Sequence, residues 1–302
     1  MRIGIVGGGS LGLLFSARLS TVFKVEVITR TEEQALAIAA CGIHIEGEHA
    51  GATYPITAYS FEAMNASCID ERPELDYLLL MVKQSDISHG LLAMIQRRVT
   101  PKTKVMCFQN GIGHEDQLLN VLQPDQIVLA VTTEGAKRLT ATSVAHTGFG
   151  LTYLDETQKK CAFILEKAGF EVYLSNNMNT RIWGKLIINS VINPLTALLK
   201  VTNGDLLKSP YIHALMMALY QEGISVAAAM HIELPDDHWT TLLSVCERTA
   251  SNHSSMLQDL MNGRGTEIDM INGSLLSIAD RFQLNLPVNQ TVYQLVKALE
   301  NK

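Results

Sequence analysis

MRIGIVGGGSLGLLFSARL, residues 1–19, carries the strongest structural motif in the N-terminal half. It begins with a short β-type run from Ile3 to Val6, continues through glycines and ends in a helical pattern of apolar residues. The glycines fit G-x-G-x-x-G as Gly7, Gly9 and Gly12, which permit a tight turn, close approach to a pyrophosphate and packing of helix on strand. The stretch predicts a strand, a turn and a helix that bind a dinucleotide, and a plain glycine turn is the alternative.

The next β-type run, KVEVITR at residues 24–30, predicts which dinucleotide is preferred. It ends at Arg30, where NAD-binding versions usually carry an Asp or Glu for the ribose 2′-hydroxyl. An arginine at this place binds a 2′-phosphate through charge-assisted hydrogen bonds. We therefore expect NADPH to be preferred over NADH, the alternative being a surface arginine after a strand.

Further apolar strands alternate with helices, which predicts a parallel sheet covered on both faces. The predicted strands are 77–83, 104–111 and 127–133, and the helices between them include 86–96 and 114–122. Ligands bind such sheets at the carboxyl ends of the strands, where Lys83 and Asn110 occur. Lys83 is interpreted as a cation near the cofactor and Asn110 as an amide near the nicotinamide and substrate. An exposed lysine and a simple Asn-Gly turn are equally acceptable interpretations.

The pattern changes character in the second half of the chain. Residues 141–155 resemble an antiparallel strand pair, followed by a helix at 157–168 and a short strand, FEVYLS. From Thr180 onward the pattern is almost wholly helical. The prediction is an α/β protein, with a Rossmann-type dinucleotide-binding domain at residues 1–176 and an all-helical domain at 177–302.

The segment RIWGKLIINSVINPLTALL, residues 181–199, is apolar almost all round except for Lys185, Asn189 and Asn193. These residues stand at i, i+4 and i+8, so a helix places them in one polar stripe. Asn is a poor helix former, which favours a specific role over an ordinary solvated face. Pro194 removes a backbone N–H and leaves the carbonyl of Ser190 without its usual partner. We interpret the stripe as one wall of a cleft.

Polar residues also interrupt the helical pattern further on. They are Asn203 and Gly204, then Asn252, Ser254 and Ser255 before a glycine-rich break, and Glu267 after it. Thr266 and Asp269 resemble a capping box, which would put Glu267 in a first helical turn. That turn favours a carboxylate through the helix dipole, and Ser254 and Ser255 could cap the MLQDLM helix that follows them, so structural roles remain open for all three.

Composition narrows the class of protein. A net charge of −6 over 302 residues argues against a nucleic-acid binder, and the nine histidines show no metal-ligand spacing. The five cysteines form no C-x-x-C pair, which favours a reducing cytoplasm. No uninterrupted apolar run reaches the roughly 20 residues of a membrane span, so we expect no membrane segment. From the histidine spacing we also expect no structural metal.

Taken together, these motifs resemble the ketopantoate reductase (2-dehydropantoate 2-reductase) family along essentially the full chain. The matching pieces are GIVGGGSLG, the arginine of ITR, the lysine of VKQSD, QNGIG, WGKLIINSVINPLTAL, NG at 203–204, SSMLQD and TEIDMING. The loops at 41–74 and TTEGAKR match less closely. The combination of Lys185, Asn189, Asn193 and Pro194 with a distant Glu267 is more specific than the glycine motif.

The resemblance implies NADPH-dependent reduction of 2-dehydropantoate to (R)-pantoate, in the route to pantothenate and coenzyme A. It places the proton donor at Lys185, with Glu267 near both cofactor and substrate. The implied cofactor contacts are Gly7, Gly8, Gly9, Ser10, Leu11, Gly12, Arg30, Lys83, Asn110, Ala136 and Glu267. The implied substrate contacts are Asn110, Lys185, Asn189, Asn193, Asn203 and Ser255.

Two other functions stay open at this point. One is an NADPH-dependent reductase of another small 2-keto acid, and the other is a dinucleotide-sensing protein without catalysis. The second gives no reason for Lys185, Asn189 and Asn193. A homodimer is compatible with a helical second domain, but an exposed apolar stripe cannot be distinguished from a core stripe by periodicity.

Overall fold

The computed structural model describes residues 1–47, 52–66 and 72–300. The strands are β1 Arg2–Val6, β2 Lys24–Thr29, β3 Ile43–Glu46, β4 Thr53–Tyr54, β5 Thr57–Ser60, β6 Tyr77–Leu80, β7 Lys104–Cys107, β8 Ile127–Leu129, β9 Val131–Thr132, β10 Gly135–Arg138, β11 Ser143–Gly148, β12 Leu151–Asp155 and β13 Glu171–Ser175. The helices of the same half are α1 Ser10–Ser20, α2 Glu32–Cys41, α3 Phe61–Ala66, α4 His89–Arg98, α5 His114–Leu118 and α6 Lys159–Lys167.

The main sheet has six strands in the order β5-β2-β1-β6-β7-β8, and all neighbouring strands are parallel. Strand β1 lies between β2 and β6, so Ile5 pairs with Val27 on one side and Leu79 on the other. Buried aliphatic residues cover both faces of this sheet. The predicted parallel α/β sheet is confirmed, and the carboxyl ends of β2, β1 and β6 are neighbours.

Two smaller sheets correct one sequence prediction. The expected antiparallel pairing within residues 141–155 is wrong, because β11 pairs with β10 and β3, whereas β12 pairs with β13 and β9. At the junction, a Cβ on Gly150 would lie 2.3 Å from the carbonyl carbon of Thr133. The chain therefore passes directly against another backbone segment as it moves from one sheet to the next, which a hairpin pattern in the sequence does not reveal.

The second half is helical in the described residues, as predicted. Its helices are α7 Met178–Leu199, α8 Pro210–Ala229, α9 His238–Arg248, α10 Ser255–Met261, α11 Asn272–Arg281 and α12 Pro287–Glu300, with a 3₁₀ segment at Asn203–Lys208. By length and composition α7 is apolar enough to cross a membrane, but 67% of its most apolar window is buried within the protein. A central core helix has the same properties, and α7 supplies Trp183, Leu186 and Ile187 to the core of this half.

The chain divides into two compact units. Unit 1 contains Met1–Gln109 and Gly113–Met178, and unit 2 contains Asn110–Ile112 and Asn179–Lys302. The short piece Asn110–Ile112 thus belongs with the helices, and Ile112 packs against their core. Cys41, Cys107, Cys161 and Cys246 are free thiols, and Cys68 lies outside the described residues.

Candidate active site

The glycine motif in unit 1 forms an open cradle between β1 and α1. Gly7 has φ +121°, which a side chain would strain, and a Cβ on Gly12 would lie 1.8 Å from the carbonyl oxygen of Gly7. A Cβ on Gly9 would meet no atom within 4 Å, so this glycine leaves open space at the N-terminus of α1. No described side chain caps that terminus, which leaves its N–H groups suited to an anion.

Two side chains that were not expected from the sequence support this cradle. The carbonyl of Gly8 accepts hydrogen bonds from Gln34 Nε2 at 2.8 Å and from Arg138 Nη1 at 3.2 Å. The backbone N–H of Arg138 also donates to Ser10 Oγ at 3.0 Å. Arg138 comes from β10, where the sequence match was poor, so only its position beside α1 reveals it. It adds a positive charge next to the proposed phosphate position.

The other predicted cofactor residues occupy defined positions in unit 1. Leu11 packs against the sheet core from the first turn of α1, and Ala136 does so from β10. Lys83 precedes the 3₁₀ turn Gln84–Asp86 that follows β6. Arg30 follows β2 and forms an ion pair with Asp86, with Nη2 and Oδ2 2.6 Å apart.

The open cradle at Gly9, the uncapped helix terminus and the basic residues fit a dinucleotide. A phosphate group accepts hydrogen bonds from free N–H groups and is stabilised by nearby positive charge. Arg30, Lys83 and Arg138 supply that charge in unit 1. The chemistry of this donor set is that of a phosphate-binding site.

In unit 2, the polar stripe lies on α7 as the periodicity predicted. Lys185 and Asn189 are partly buried, and Asn193 is 6% exposed. Neither Asn189 nor Asn193 has a side-chain hydrogen bond within the described part of the chain. Both amides can therefore donate to and accept from a small polar ligand.

Lys185 has an electrostatic environment unlike that of a surface lysine. Burial lowers the pKa of Lys185 to about 8, because removing water penalises the charged amine, while the Glu267 carboxylate acts in the opposite direction. A pKa in this range suits a group that gives up a proton near neutral pH.

Glu267 lies in a turn before α11 and is 8% exposed. Its Oε2 accepts a hydrogen bond of 2.9 Å from Asn110 Nδ2, so two residues that are 157 positions apart meet in unit 2. This contact orients the carboxylate. Because the Glu267 carboxylate also acts electrostatically on the Lys185 amine, Asn110, Lys185 and Glu267 form one polar group of unit 2.

The predicted capping box around Glu267 is wrong. The Thr266 hydroxyl accepts from the N–H of Ile268, and the Asp269 carboxylate accepts from Tyr293 and Lys297 instead of capping a helix. Tertiary partners outcompete the local motif here. A first-turn helix-dipole role therefore does not account for the acidic residue at position 267.

The remaining substrate candidates differ in their partners. Asn203 is 7% exposed and donates through Nδ2 to Thr249 Oγ1 at 2.8 Å, while its buried Oδ1 has no partner in the described residues. Ser254 caps α10 by accepting from the Leu257 N–H at 3.1 Å, which confirms a capping role for this serine. Ser255 is exposed at the start of α10, and no hydrogen bond holds its side chain in the described structure.

The interruption of α7 at Pro194 is compensated within unit 2. Asn272 Nδ2 donates to the Ser190 carbonyl at 2.9 Å and also to Asn289 Oδ1 at 2.9 Å. Asn289 in turn donates to Glu222 Oε2 at 2.7 Å. This buried network fixes the part of α7 that carries the polar stripe.

Comparisons with known proteins agree with these features. The chain matches the family model for ketopantoate reductase PanE/ApbA over residues 3–159, and the model for its C-terminal part over residues 177–300. It is 35% identical to the 2-dehydropantoate 2-reductase of Bacillus subtilis (strain 168) over 308 residues, covering 99% of this chain and 98% of that protein.

Solved structures resemble the whole chain as well. A PanE/ApbA family ketopantoate reductase from Ralstonia eutropha JMP134 has a TM-score of 0.89 at 26% identity, and the match covers 100% of this chain and 99% of that one. A D-mandelate dehydrogenase, solved with NADH and anilino(oxo)acetate, has a TM-score of 0.90 at 26% identity and the same coverage. The glycine cradle, the α7 stripe and these matches together place the chain among the oxidoreductases, as a member of the ketopantoate reductase family.

Proposed function

We propose that the protein reduces the keto group of 2-dehydropantoate to (R)-pantoate, in the route to pantothenate and coenzyme A. NADPH supplies the hydride when bound, and Lys185 supplies the proton. The carbonyl carbon would gain the hydride and its oxygen the proton from Lys185, which converts the keto acid to the hydroxy acid. We assign most cofactor contacts to residues 1–176, and the proton donor and most substrate contacts to residues 177–302, while Asn110 and Glu267 are proposed to lie near both cofactor and substrate.

The observation that carries this proposal is the stripe of Lys185, Asn189 and Asn193 on α7. The side chains of the two asparagines make no hydrogen bond within the described residues, and the lysine is the charged member of the stripe. Their amides suit the hydroxyl and carboxylate of a small keto acid. A sensing protein without catalysis would not require such an arrangement.

Lys185 is proposed to act on the keto oxygen in two ways. Hydride addition turns that oxygen into an alkoxide, which an ammonium group stabilises before donating its proton. A pKa of about 8 makes this donation easier than from an ordinary lysine while leaving most of the amine protonated at neutral pH.

Glu267 is proposed to stabilise the protonated lysine and to accept a hydrogen bond from a substrate or ribose hydroxyl. The Asn110 amide holds one oxygen of this carboxylate at 2.9 Å. Asn203 offers the buried, unpartnered Oδ1 as a second acceptor, and Ser255 offers an exposed hydroxyl. These groups match the hydroxyl-bearing substrate better than an unsubstituted keto acid.

The choice of NADPH rests on Arg30 and Lys83. Arg30 replaces the carboxylate expected in an NAD-binding site and can bind a 2′-phosphate. The cytoplasm is the proposed compartment because the thiols at 41, 107, 161 and 246 are unpaired.

A second candidate is a reductase of another small 2-keto acid. The similarity to a D-mandelate dehydrogenase solved with NADH favours keeping this alternative, since that protein shares the fold over the full chain. This second candidate function would use the same Lys185 chemistry and would differ from the first only in the side chain that the substrate carries.

The deciding experiment follows the loss of NADPH absorbance on adding 2-dehydropantoate to the purified protein. NADH and a panel of aliphatic and aromatic 2-keto acids run in parallel. Fast NADPH-dependent turnover that is selective for 2-dehydropantoate supports the proposal. Turnover with another keto acid alone would overturn the assignment of 2-dehydropantoate as the substrate. If NADPH binds but none of the keto acids is turned over, the reductase assignment is overturned.

A further inference from the structure

Arg30, the residue proposed to bind the 2′-phosphate, forms an ion pair with Asp86. Arg30 Nη2 lies 2.6 Å from Asp86 Oδ2, and the two side chains are 75% and 34% exposed. Arg30 follows β2 and Asp86 ends the 3₁₀ turn after β6, and these two strands flank β1 with its glycine cradle. The carboxylate thus sits at the same sheet edge as the cradle.

Asp86 and Lys83 belong to one turn. The N–H of Asp86 donates to the carbonyl of Lys83 at 3.0 Å, which closes the 3₁₀ turn and fixes the acidic residue close to the lysine along the chain. The edge that would receive a 2′-phosphate therefore includes the cations of Arg30 and Lys83 and the carboxylate of Asp86, and Glu32 and Glu33 follow Arg30 in the first turn of α2. The carboxylate reduces the local positive charge.

A 2′-phosphate and the Asp86 carboxylate require the same guanidinium group. Both are anions that bind arginine through charge-assisted hydrogen bonds, and both carry negative charge into the same small region. Binding of the phosphate must displace Asp86 from Nη2 or tolerate repulsion from it. A ribose 2′-hydroxyl carries no charge and meets neither cost.

We propose that Asp86 is a specificity-determining residue, which competes with the 2′-phosphate for Arg30 and so narrows the preference for NADPH over NADH. The inference rests on the proposed function, in which Arg30 binds the 2′-phosphate. In this proposal Arg30 determines that NADPH is preferred over NADH, and the Asp86 carboxylate determines how large that preference is.

The test measures dissociation constants for NADPH and NADH by ligand fluorescence in the absence of substrate. Asp86→Asn removes the charge and keeps the size of the side chain. We expect it to tighten NADPH binding by about three- to tenfold at low salt, as expected for removal of one nearby like charge, and to change NADH binding less than about twofold. High salt should shrink the gain in NADPH affinity.

Asp125→Asn is a matched control. Asp125 also belongs to unit 1 and pairs with a lysine, Lys104, but it precedes β8 and so lies at the amino end of a strand of the parallel sheet. The Asp125→Asn substitution removes the same charge from the protein but leaves the carboxyl ends of the parallel strands unchanged. Equal tightening of NADPH binding by both variants would reduce the effect to net charge and overturn the inference.

Arg30→Ala separates the inference from the proposal beneath it. If Arg30→Ala weakens NADPH but Asp86→Asn leaves NADPH unchanged or weakens it, only the competition is overturned, and Asp86 instead orients the arginine. If Arg30→Ala leaves NADPH binding unchanged, the proposed phosphate contact fails and the inference fails with it. In the Arg30→Ala background, Asp86→Asn should lose most of its effect.

Discussion

The side-chain amide of Asn272 donates a 2.9 Å hydrogen bond to the carbonyl of Ser190, the acceptor that Pro194 leaves without a helical partner. Asn272 is fully buried, so no water replaces this donor if it is removed. An interruption in one helix is thereby compensated by a side chain from another helix. The compensation secures the segment of α7 between Asn189 and Asn193.

Asn272→Ala should lower the free energy of unfolding by about 2–3 kcal/mol, because it strands a buried carbonyl and an amide oxygen. Chemical denaturation measures the loss. Asn285→Ala, at an exposed position, serves as the control and should change stability by less than about 0.5 kcal/mol. In a Pro194→Ala background the cost of Asn272→Ala should fall, since residue 194 then has its own N–H for Ser190. Equal costs in both backgrounds would contradict the compensation.

Lys185→Ala should reduce turnover by roughly 10²- to 10⁴-fold, the usual contribution of a general acid. The dinucleotide dissociation constant should stay nearly unchanged, because the cradle belongs to unit 1. Lys185→Arg is the matched variant, since it keeps the positive charge but does not release a proton at these pH values. Full turnover in either variant would remove Lys185 from the proton-donor role.

The pH dependence of reduction should follow Lys185. Only the protonated amine donates, so the rate should be level at neutral pH and fall as pH rises through about 8, instead of near the ordinary lysine pKa of 10.5. Glu267→Gln removes the charge that raises this pKa, and the falling limb should move to lower pH. Glu233→Gln changes an exposed glutamate of the same unit and should leave the profile in place. A limb that does not respond to Glu267→Gln would contradict the coupling.

Gly9→Ala and Gly12→Ala should separate binding from folding. A Cβ at Gly9 enters open space with φ −80°, so the variant should keep its melting temperature but lose about 1–3 kcal/mol of dinucleotide binding as the cradle fills. A Cβ at Gly12 would overlap the Gly7 carbonyl at 1.8 Å, so that variant should unfold more easily as well. Thermal melts and NADPH titrations distinguish the two, and unchanged binding in Gly9→Ala would argue against a pyrophosphate at the cradle.

Local patterns were sufficient for the main features of the fold. The alternation of apolar strands with helices predicted the parallel sheet, and the i, i+4, i+8 spacing predicted the α7 stripe, because both patterns depend on residues close together in sequence. Long-range pairing was out of reach. Nothing near Thr266 and Asp269 reveals that Tyr293 and Lys297 take the carboxylate of Asp269, so the local capping motif was misleading.

The same limit applies to the candidate site. Glu267 and Asn110 were each identified, but their hydrogen bond depends on tertiary structure. Arg138 was missed because its role depends on β10 lying beside α1. Arg30 was predicted to bind a 2′-phosphate, but its ion pair with Asp86 was not foreseen. That pair depends on two strands that are separated in sequence but flank β1.

The membership of Asn110–Ile112 in unit 2 makes the helical half discontinuous along the chain. A C-terminal fragment that begins after Met178 would lack both the Asn110 amide that holds Glu267 and the Ile112 side chain that packs into the helical core. Exchange of whole halves between relatives would therefore need three crossovers, one on each side of this three-residue insertion and one near residue 178. A chimera joined only near residue 178 would combine a carboxylate from one parent with the amide of the other, and the inheritance of this pair as a unit becomes a design rule for recombining these enzymes.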